Sequence, residues 1–148
     1  MMTIMVENGI NLQLEGNTKE EILSNIAEVA YQTGKVSNTK LFFEDLCKRE
    51  QESTTGFGGG IAIPHAKSDA VKEVGVLFFR SKEQIEWQAM DGEPVFCFIC
   101  LMVPSNGGEE HLKLLSKLSR KMIDPDFVSV LKTSGETEIL SLIRSVIS

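Results

Sequence analysis

Cysteine, histidine and long apolar runs are all scarce in this chain. Three cysteines, Cys47, Cys97 and Cys100, are too few and too oddly numbered for a disulfide scaffold. Cys97 and Cys100 form a C-x-x-C pattern that in another setting marks a redox or metal site. Here the pair lies inside residues 95–103, an unbroken apolar run that reads as a buried strand. Residues three apart on a strand point to opposite faces, so the two thiols cannot share a metal or a local disulfide and read as buried structural cysteines. No apolar run approaches the roughly 18 residues of a membrane span. Residues 1–8 lack a basic segment followed by an apolar core, so a soluble, cytoplasmic protein is expected. No lysine or arginine block stands out against the net charge of -6, which argues against a broad nucleic-acid or anionic-membrane footprint.

With 148 residues and 42% hydrophobic content, the chain suits one domain over 1–148, its core spanning about 7–147. Ile10-Asn11-Leu12-Gln13-Leu14 alternates as a half-exposed first strand. Thr18-Lys19-Glu20-Glu21 resembles a capping box, after which Ile22, Ile26, Val29 and Ala30 recur at helical spacing until Gly34. A second helix begins at Ser37 or Asn38, carries Leu41, Phe42, Asp45, Leu46 and Arg49, and ends near Glu50. Residues 74–80 read as a strand buried on both faces, Ile85-Glu86-Trp87 as a short added strand, and Asp91-Gly92 as a turn before the cysteine strand. Pro104-Ser105-Asn106-Gly107-Gly108 breaks that strand and opens a helix carrying His111, with Leu112, Leu115, Leu118 and Met122 on its apolar stripe. Two last helices start at Asp124-Pro125 and at Ser134-Gly135-Glu136, the latter burying Ile139, Leu140, Ile143 and Val146 or Ile147. This order implies an α/β sandwich, a central mixed β-sheet flanked by helices.

The chemistry concentrates in Thr54-Thr55-Gly56-Phe57-Gly58-Gly59-Gly60-Ile61-Ala62-Ile63-Pro64-His65, where glycines allow close backbone approach and Pro64 fixes the backbone ahead of one of only two histidines. It is not a Walker loop, because Lys67-Ser68 follows Ala66 rather than a glycine. Gly56, Gly58 and Gly60 do not fit the dinucleotide fingerprint, and no serine nucleophile elbow is present. Zinc needs about three or four ligands, and two distant histidines without a third partner make a poor site.

What remains is an imidazole beside backbone N–H groups, those of Gly58 and Gly59 among them, with hydroxyls from Thr54 and Thr55 and the guanidinium of Arg49. A neutral histidine is a good nucleophile towards phosphorus, and nests, helix N-termini and a forked arginine hold the charge that a phosphoryl group brings. His111, in the first turns of its helix, is the natural second member. Two plainer readings stay open: Arg49 as a solvated complement to a helix C-terminus, and His111 as an exposed polar residue at a helix start. Lys67, Asp69 and the Glu109-Glu110 pair read as solvated surface.

Arg49-Glu50, the run from Thr55 to His65, Asp91-Gly92-Glu93-Pro94-Val95, Val103-Pro104 and His111-Leu112-Lys113-Leu114-Leu115 together resemble the fructose/mannitol-type IIA domain of the bacterial sugar phosphotransferase system. The likeness covers nearly the whole chain, from about residue 7, and its ordered blocks make it far more specific than a lone G-x-G. It implies that His65 takes a phosphoryl group on Nε2 from phosphorylated HPr, a small histidine phosphocarrier, and passes it to a cysteine of the cognate IIB component. The membrane IIC component then carries in the sugar that is phosphorylated. It further implies that His111 and Arg49 support His65, and that neither metal nor nucleotide cofactor is required. Phe57 departs from the aliphatic residue common at that place. Trp87 resembles the fructose branch more than the mannitol branch. Nitrogen-related members of the family, in which phosphorylation switches partner binding, commonly have glycine at the position of Ala66. Exposed apolar residues around His65 are the expected contact for HPr.

Overall fold

The computed structural model describes residues 4–147, in which a six-stranded mixed sheet lies between two helical layers. Strand β1 (Met5–Leu14) precedes helices α1 (Lys19–Gln32) and α2 (Thr39–Glu52). Three short strands follow, β2 (Gly56–Gly58), β3 (Ile61–Ala62) and β4 (His65–Ser68), then two long ones, β5 (Gly75–Ile85) and β6 (Val95–Pro104). Helices α3 (Glu110–Lys121), α4 (Pro125–Thr133) and α5 (Glu136–Ile147) close the chain.

The helix starts follow from capping chemistry. Thr18 Oγ1 accepts the Glu21 amide at 3.2 Å, and Asn38 Oδ1 accepts that of Leu41 at 3.0 Å. Asp124 Oδ1 takes the Asp126 amide at 3.0 Å, with Pro125 in the first turn. Each bond satisfies an amide that has no partner within the helix.

Strand β6 organises the sheet. β5 runs antiparallel along one side of it, while β3 and β4 lie end to end along the other, both parallel to it. Leu77, Phe79, Phe98, Cys100 and Met102 pack with α1 and α2, whereas Val76, Phe78, Cys97, Ile99 and Leu101 pack with α3, α4 and α5. Cys97 and Cys100 therefore lie in different cores, as their three-residue spacing on a strand requires. The alternation slips once: the Phe96 and Cys97 amides both donate to the Gly60 carbonyl, at 2.9 and 3.0 Å, as in a β-bulge.

Four local expectations change. α2 continues to Glu52, beyond Glu50. Ile85 belongs to β5, because it still pairs with Val95 after a register shift, so no separate strand forms. Trp87 instead leaves the sheet and is fully buried, its ring centroid 5.0 Å from that of Phe98. The helix carrying His111 starts at Glu110, with no side-chain cap on Glu109, and its buried face holds Leu114 and Leu118. Leu112 lies two residues from Leu114, about 200° around the axis, and is 55% exposed. Among the described residues no helix is long and apolar enough to cross a membrane.

This topology brings together parts of the chain that are far apart in sequence. β4 starts beside Leu101 on β6, and β6 runs on through residues 105–109 into α3. The C-terminal part of α2, the start of β4 and the start of α3 thus converge on one cavity.

Candidate functional site

The glycine run is a hairpin rather than a loop. Gly56 pairs with Ala62 and Gly58 with Ile61, while Gly59 and Gly60 turn the chain at φ of 65° and 86°, in the left-handed region that side chains disfavour. A Cβ on Gly60 would also stand 2.6 Å from Cε1 of Phe96. The hairpin returns through Ile63 and Pro64 to β4, whose first residue is His65.

His65 Nδ1 lies 2.8 Å from the Ile63 carbonyl oxygen. A carbonyl can only accept, so Nδ1 carries the proton and donates it, and Nε2 keeps its lone pair. Burial, which disfavours imidazolium, lowers the His65 pKa below the ordinary 6.5. Arg49 and His111 push the same way, against the Ile63 hydrogen bond and the charge of Glu50. The arrangement holds a neutral imidazole with a defined nucleophilic nitrogen.

A cavity of about 430 Å³ brings His65, Arg49 and His111 together, with Lys48, Lys67, Asp45 and Glu52 on its wall. Lys67, expected as solvated surface, is exposed and lines this cavity. Arg49 Nη1 donates to the Ser53 carbonyl at 2.8 Å, so it also complements the end of α2. That bond uses one of the five guanidinium donors. His111, in the first turn of α3, directs Nδ1 at the Gly108 carbonyl, 3.3 Å away. Both residues are half-buried, so of each plainer reading only the contact at the helix end holds. A second cavity, of about 160 Å³, is lined by Arg49, His65, Thr54, Thr55, Phe57 and Met90 among others. Among the described residues no three His, Cys, Asp or Glu side chains converge to hold a metal ion.

Of the four residues expected to support a phosphoryl group, Thr54 and Thr55 line the smaller cavity beside His65 and Arg49. The Thr55 hydroxyl is committed to Glu50 Oε2 as donor and to Trp87 Nε1, at 3.4 Å, as acceptor. Thr54 Oγ1 accepts the Gly56 amide at 3.0 Å, closing a local turn. The Gly59 amide donates to Asp91 Oδ2 at 3.0 Å, and neither Gly58 nor Gly59 lines the cavities that contain His65. The hairpin tip is thus tied to Asp91 through Gly59.

Glu50, Lys19 and Trp87 form a further group around Thr55. Glu50 Oε1 accepts the Thr55 amide at 3.1 Å and pairs with Lys19 Nζ at 3.0 Å, and Lys19 Nζ also donates to the Trp87 carbonyl at 3.1 Å. Local spacing carries no signal for a cluster whose members come from α1, α2 and a loop far downstream. Around the site Phe57, Met90 and Leu112 are exposed apolar side chains, Met90 to 79%.

The family model for the phosphoenolpyruvate-dependent sugar phosphotransferase system, EIIA 2, matches residues 3–146. The chain is 37% identical over 147 residues to the PTS system fructose-like EIIA component of Escherichia coli K12, covering 99% of both chains. It is 29% identical to the PTS system fructose-specific EIIABC component of Bacillus subtilis, covering 95% of this chain and 22% of that one. The crystal structure of nitrogen regulatory protein IIA-Ntr from Neisseria meningitidis superposes with a TM-score of 0.87 at 31% identity, covering 95% of this chain and 96% of that one.

Proposed function

Because the chain belongs to the EIIA 2 family of the phosphoenolpyruvate-dependent sugar phosphotransferase system, we propose that it is a histidine phosphocarrier that relays a phosphoryl group through His65 during uptake of fructose or a related sugar. The observation that carries this reading is the His65 Nδ1–H bond to the Ile63 carbonyl, which leaves Nε2 as the lone-pair nitrogen. Nε2 attacks phosphorus in phospho-HPr; the P–N bond of the donor breaks as the new one forms, and the donor imidazole leaves with its electron pair. Onward transfer reverses the roles. A cysteine thiolate of the cognate EIIB attacks phosphorus, and the electron pair of the broken bond returns to Nε2. Throughout, the proton stays on Nδ1, hydrogen-bonded to the Ile63 carbonyl, so no proton need move at the reacting nitrogen.

Arg49 neutralises the phosphoryl oxygens in flight through its remaining N–H groups. His111, whose Nδ1 faces the Gly108 carbonyl, lines the same cavity and is the second imidazole beside the phosphoryl group. No metal or nucleotide takes part in this scheme. The donor is phospho-HPr and the acceptor EIIB, with the membrane component EIIC reached only indirectly, and the relay is placed in the cytoplasm. The fused EIIABC relative supports the pairing with EIIB.

A regulatory reading, in which phosphorylation of His65 switches partner binding and no sugar moves, is favoured by the likeness to IIA-Ntr. Ala66, where regulatory members commonly carry glycine, favours transport. Incubation with phosphoenolpyruvate, enzyme I and HPr should add one acid-labile phosphate to the parent and none to a His65→Ala variant. Labelling of that variant would remove His65 from the scheme. Transfer onward to an EIIB cysteine supports the carrier reading; no transfer, with altered binding of a kinase or regulator, supports the regulatory one.

A further inference from the structure

We propose that Glu50 is a positioning residue whose carboxylate, acting through Thr55 and Ile63, holds the His65 proton on Nδ1 and so presents Nε2. The consequence for transfer rests on the reading of His65 as phosphoryl acceptor, whereas the geometry does not.

Glu50 stands near the end of α2, its side chain only 5% exposed. It receives both protons that Thr55 can offer, the amide at 3.1 Å on Oε1 and the hydroxyl on Oε2. The direction of the hydroxyl bond is determined by its other neighbour. Indole Nε1–H of Trp87 can only donate, so Thr55 Oγ1 accepts there and sends its own proton to the carboxylate. Lys19 Nζ completes the group, paired with Glu50 Oε1 at 3.0 Å and lying 5.0 Å from the Trp87 ring centroid.

From Thr55 the order continues along the main chain. Its carbonyl accepts the Ile63 amide at 3.0 Å, and the Ile63 carbonyl accepts His65 Nδ1–H at 2.8 Å. Ile63 precedes Pro64, whose ring confines it to extended conformations. Anchoring its amide on Thr55 therefore sets the direction of its carbonyl. Thr55 and Ile63 are both buried, so water cannot replace a lost partner without opening the site. A carboxylate suits this place because it accepts at both oxygens. A glutamine would put its NH₂ group either at the Oε1 place, where the Thr55 amide and Lys19 both lose an acceptor, or at the Oε2 place, where the Thr55 hydroxyl does.

The test reads the imidazole itself, by nitrogen-detected NMR on the full, unphosphorylated chain. The parent should show His65 with its proton on Nδ1. Glu50→Gln and the near-isosteric Thr55→Val should each give a mixture of the two tautomers and slow phosphorylation by phospho-HPr roughly tenfold, the ratio expected for one lost hydrogen bond. Thr55→Ser, which keeps the hydroxyl, should retain the parental ring signals. Leu131→Ala, in the core beneath α4 and away from Glu50 and Thr55, should lose stability and also retain them. Parental signals in both Glu50→Gln and Thr55→Val would overturn the proposal, as would the same tautomer mixture in Leu131→Ala. If the parent shows the Nδ1–H ring yet accepts no phosphoryl group, the phosphocarrier reading fails and the positioning role stands.

Discussion

Arg49 and His65 are the two residues common to both cavities of the site, so the guanidinium and the imidazole share the wall between them. Arg49 reaches this wall from α2 and His65 from the first position of β4. In the proposed relay, an arginine placed there would meet charge developing on a phosphoryl group as it moves to Nε2. Arg49→Ala should slow phosphorylation on the order of a hundredfold, as expected for one lost donor at a charged transition state. Arg49→Lys should recover only part of the rate, since an ammonium lacks the forked donors. Loss of the bond to Ser53 should cost about 1 kcal/mol or less in urea unfolding. A parental rate in Arg49→Ala would confine this side chain to ending α2.

The lowered pKa of His65 has two consequences of opposite practical sign. Below the ordinary value of 6.5 the unfolded chain takes up a proton that the folded ring resists. Stability should therefore fall as pH drops through 6.5 towards the folded-state value, and rise to a plateau above 6.5. His65→Gln should remove that component of the slope in unfolding measured across the window. Phosphoryl acceptance, in contrast, should persist below pH 6.5, because the folded ring stays neutral there. An NMR titration placing the His65 midpoint at or above 6.5 would contradict both statements.

Thiol chemistry follows from the sheet. Burial raises the Cys97 thiol to about 11 and pushes Cys100 up as well, while Cys47 is only partly buried and raised more modestly by the same cause. In the native protein a disulfide reagent should modify Cys47 alone, and slowly; in denaturant all three cysteines should react. Fast native modification of Cys97 or Cys100 would mean that β6 opens.

Met90 and Phe57 line the smaller cavity, and exposed Leu112 follows His111 on α3. We propose these exposed side chains as the apolar rim that meets protein donors and acceptors. Met90→Asp, on a side chain with little packing to lose, should raise the KM for phospho-HPr about tenfold while leaving kcat close to parental, as loss of a docking contact predicts. A fall in kcat at unchanged KM would place Met90 with the reacting groups instead.

Much of this was legible in the sequence because it rests on local rules. Caps at Thr18, Asn38 and Asp124, the faces of Cys97 and Cys100, and the aim of Pro64-His65 all follow from residues a few positions apart. His111 and Arg49 were named from the chemistry of anion binding, and the fold brings them to the cavity of His65. Leu112 was misplaced because four leucines on α3 offer two overlapping stripes, and only contact with the sheet selects Leu114 and Leu118. The amides of Gly58 and Gly59 look equally free in sequence, but Asp91, far downstream, takes that of Gly59. The Lys19, Glu50, Thr55 and Trp87 cluster was invisible for the same reason: its partners meet only after folding.

In the proposed function His65 is phosphorylated, and on Nε2. Phosphorus and nitrogen NMR of the protein after reaction with phosphoenolpyruvate, enzyme I and HPr reads this directly. The expected result is a single phosphohistidine at His65, coupled through Nε2, with Nδ1 still protonated and held on the Ile63 carbonyl. A phosphoryl group on Nδ1, on His111 or on no histidine would contradict it.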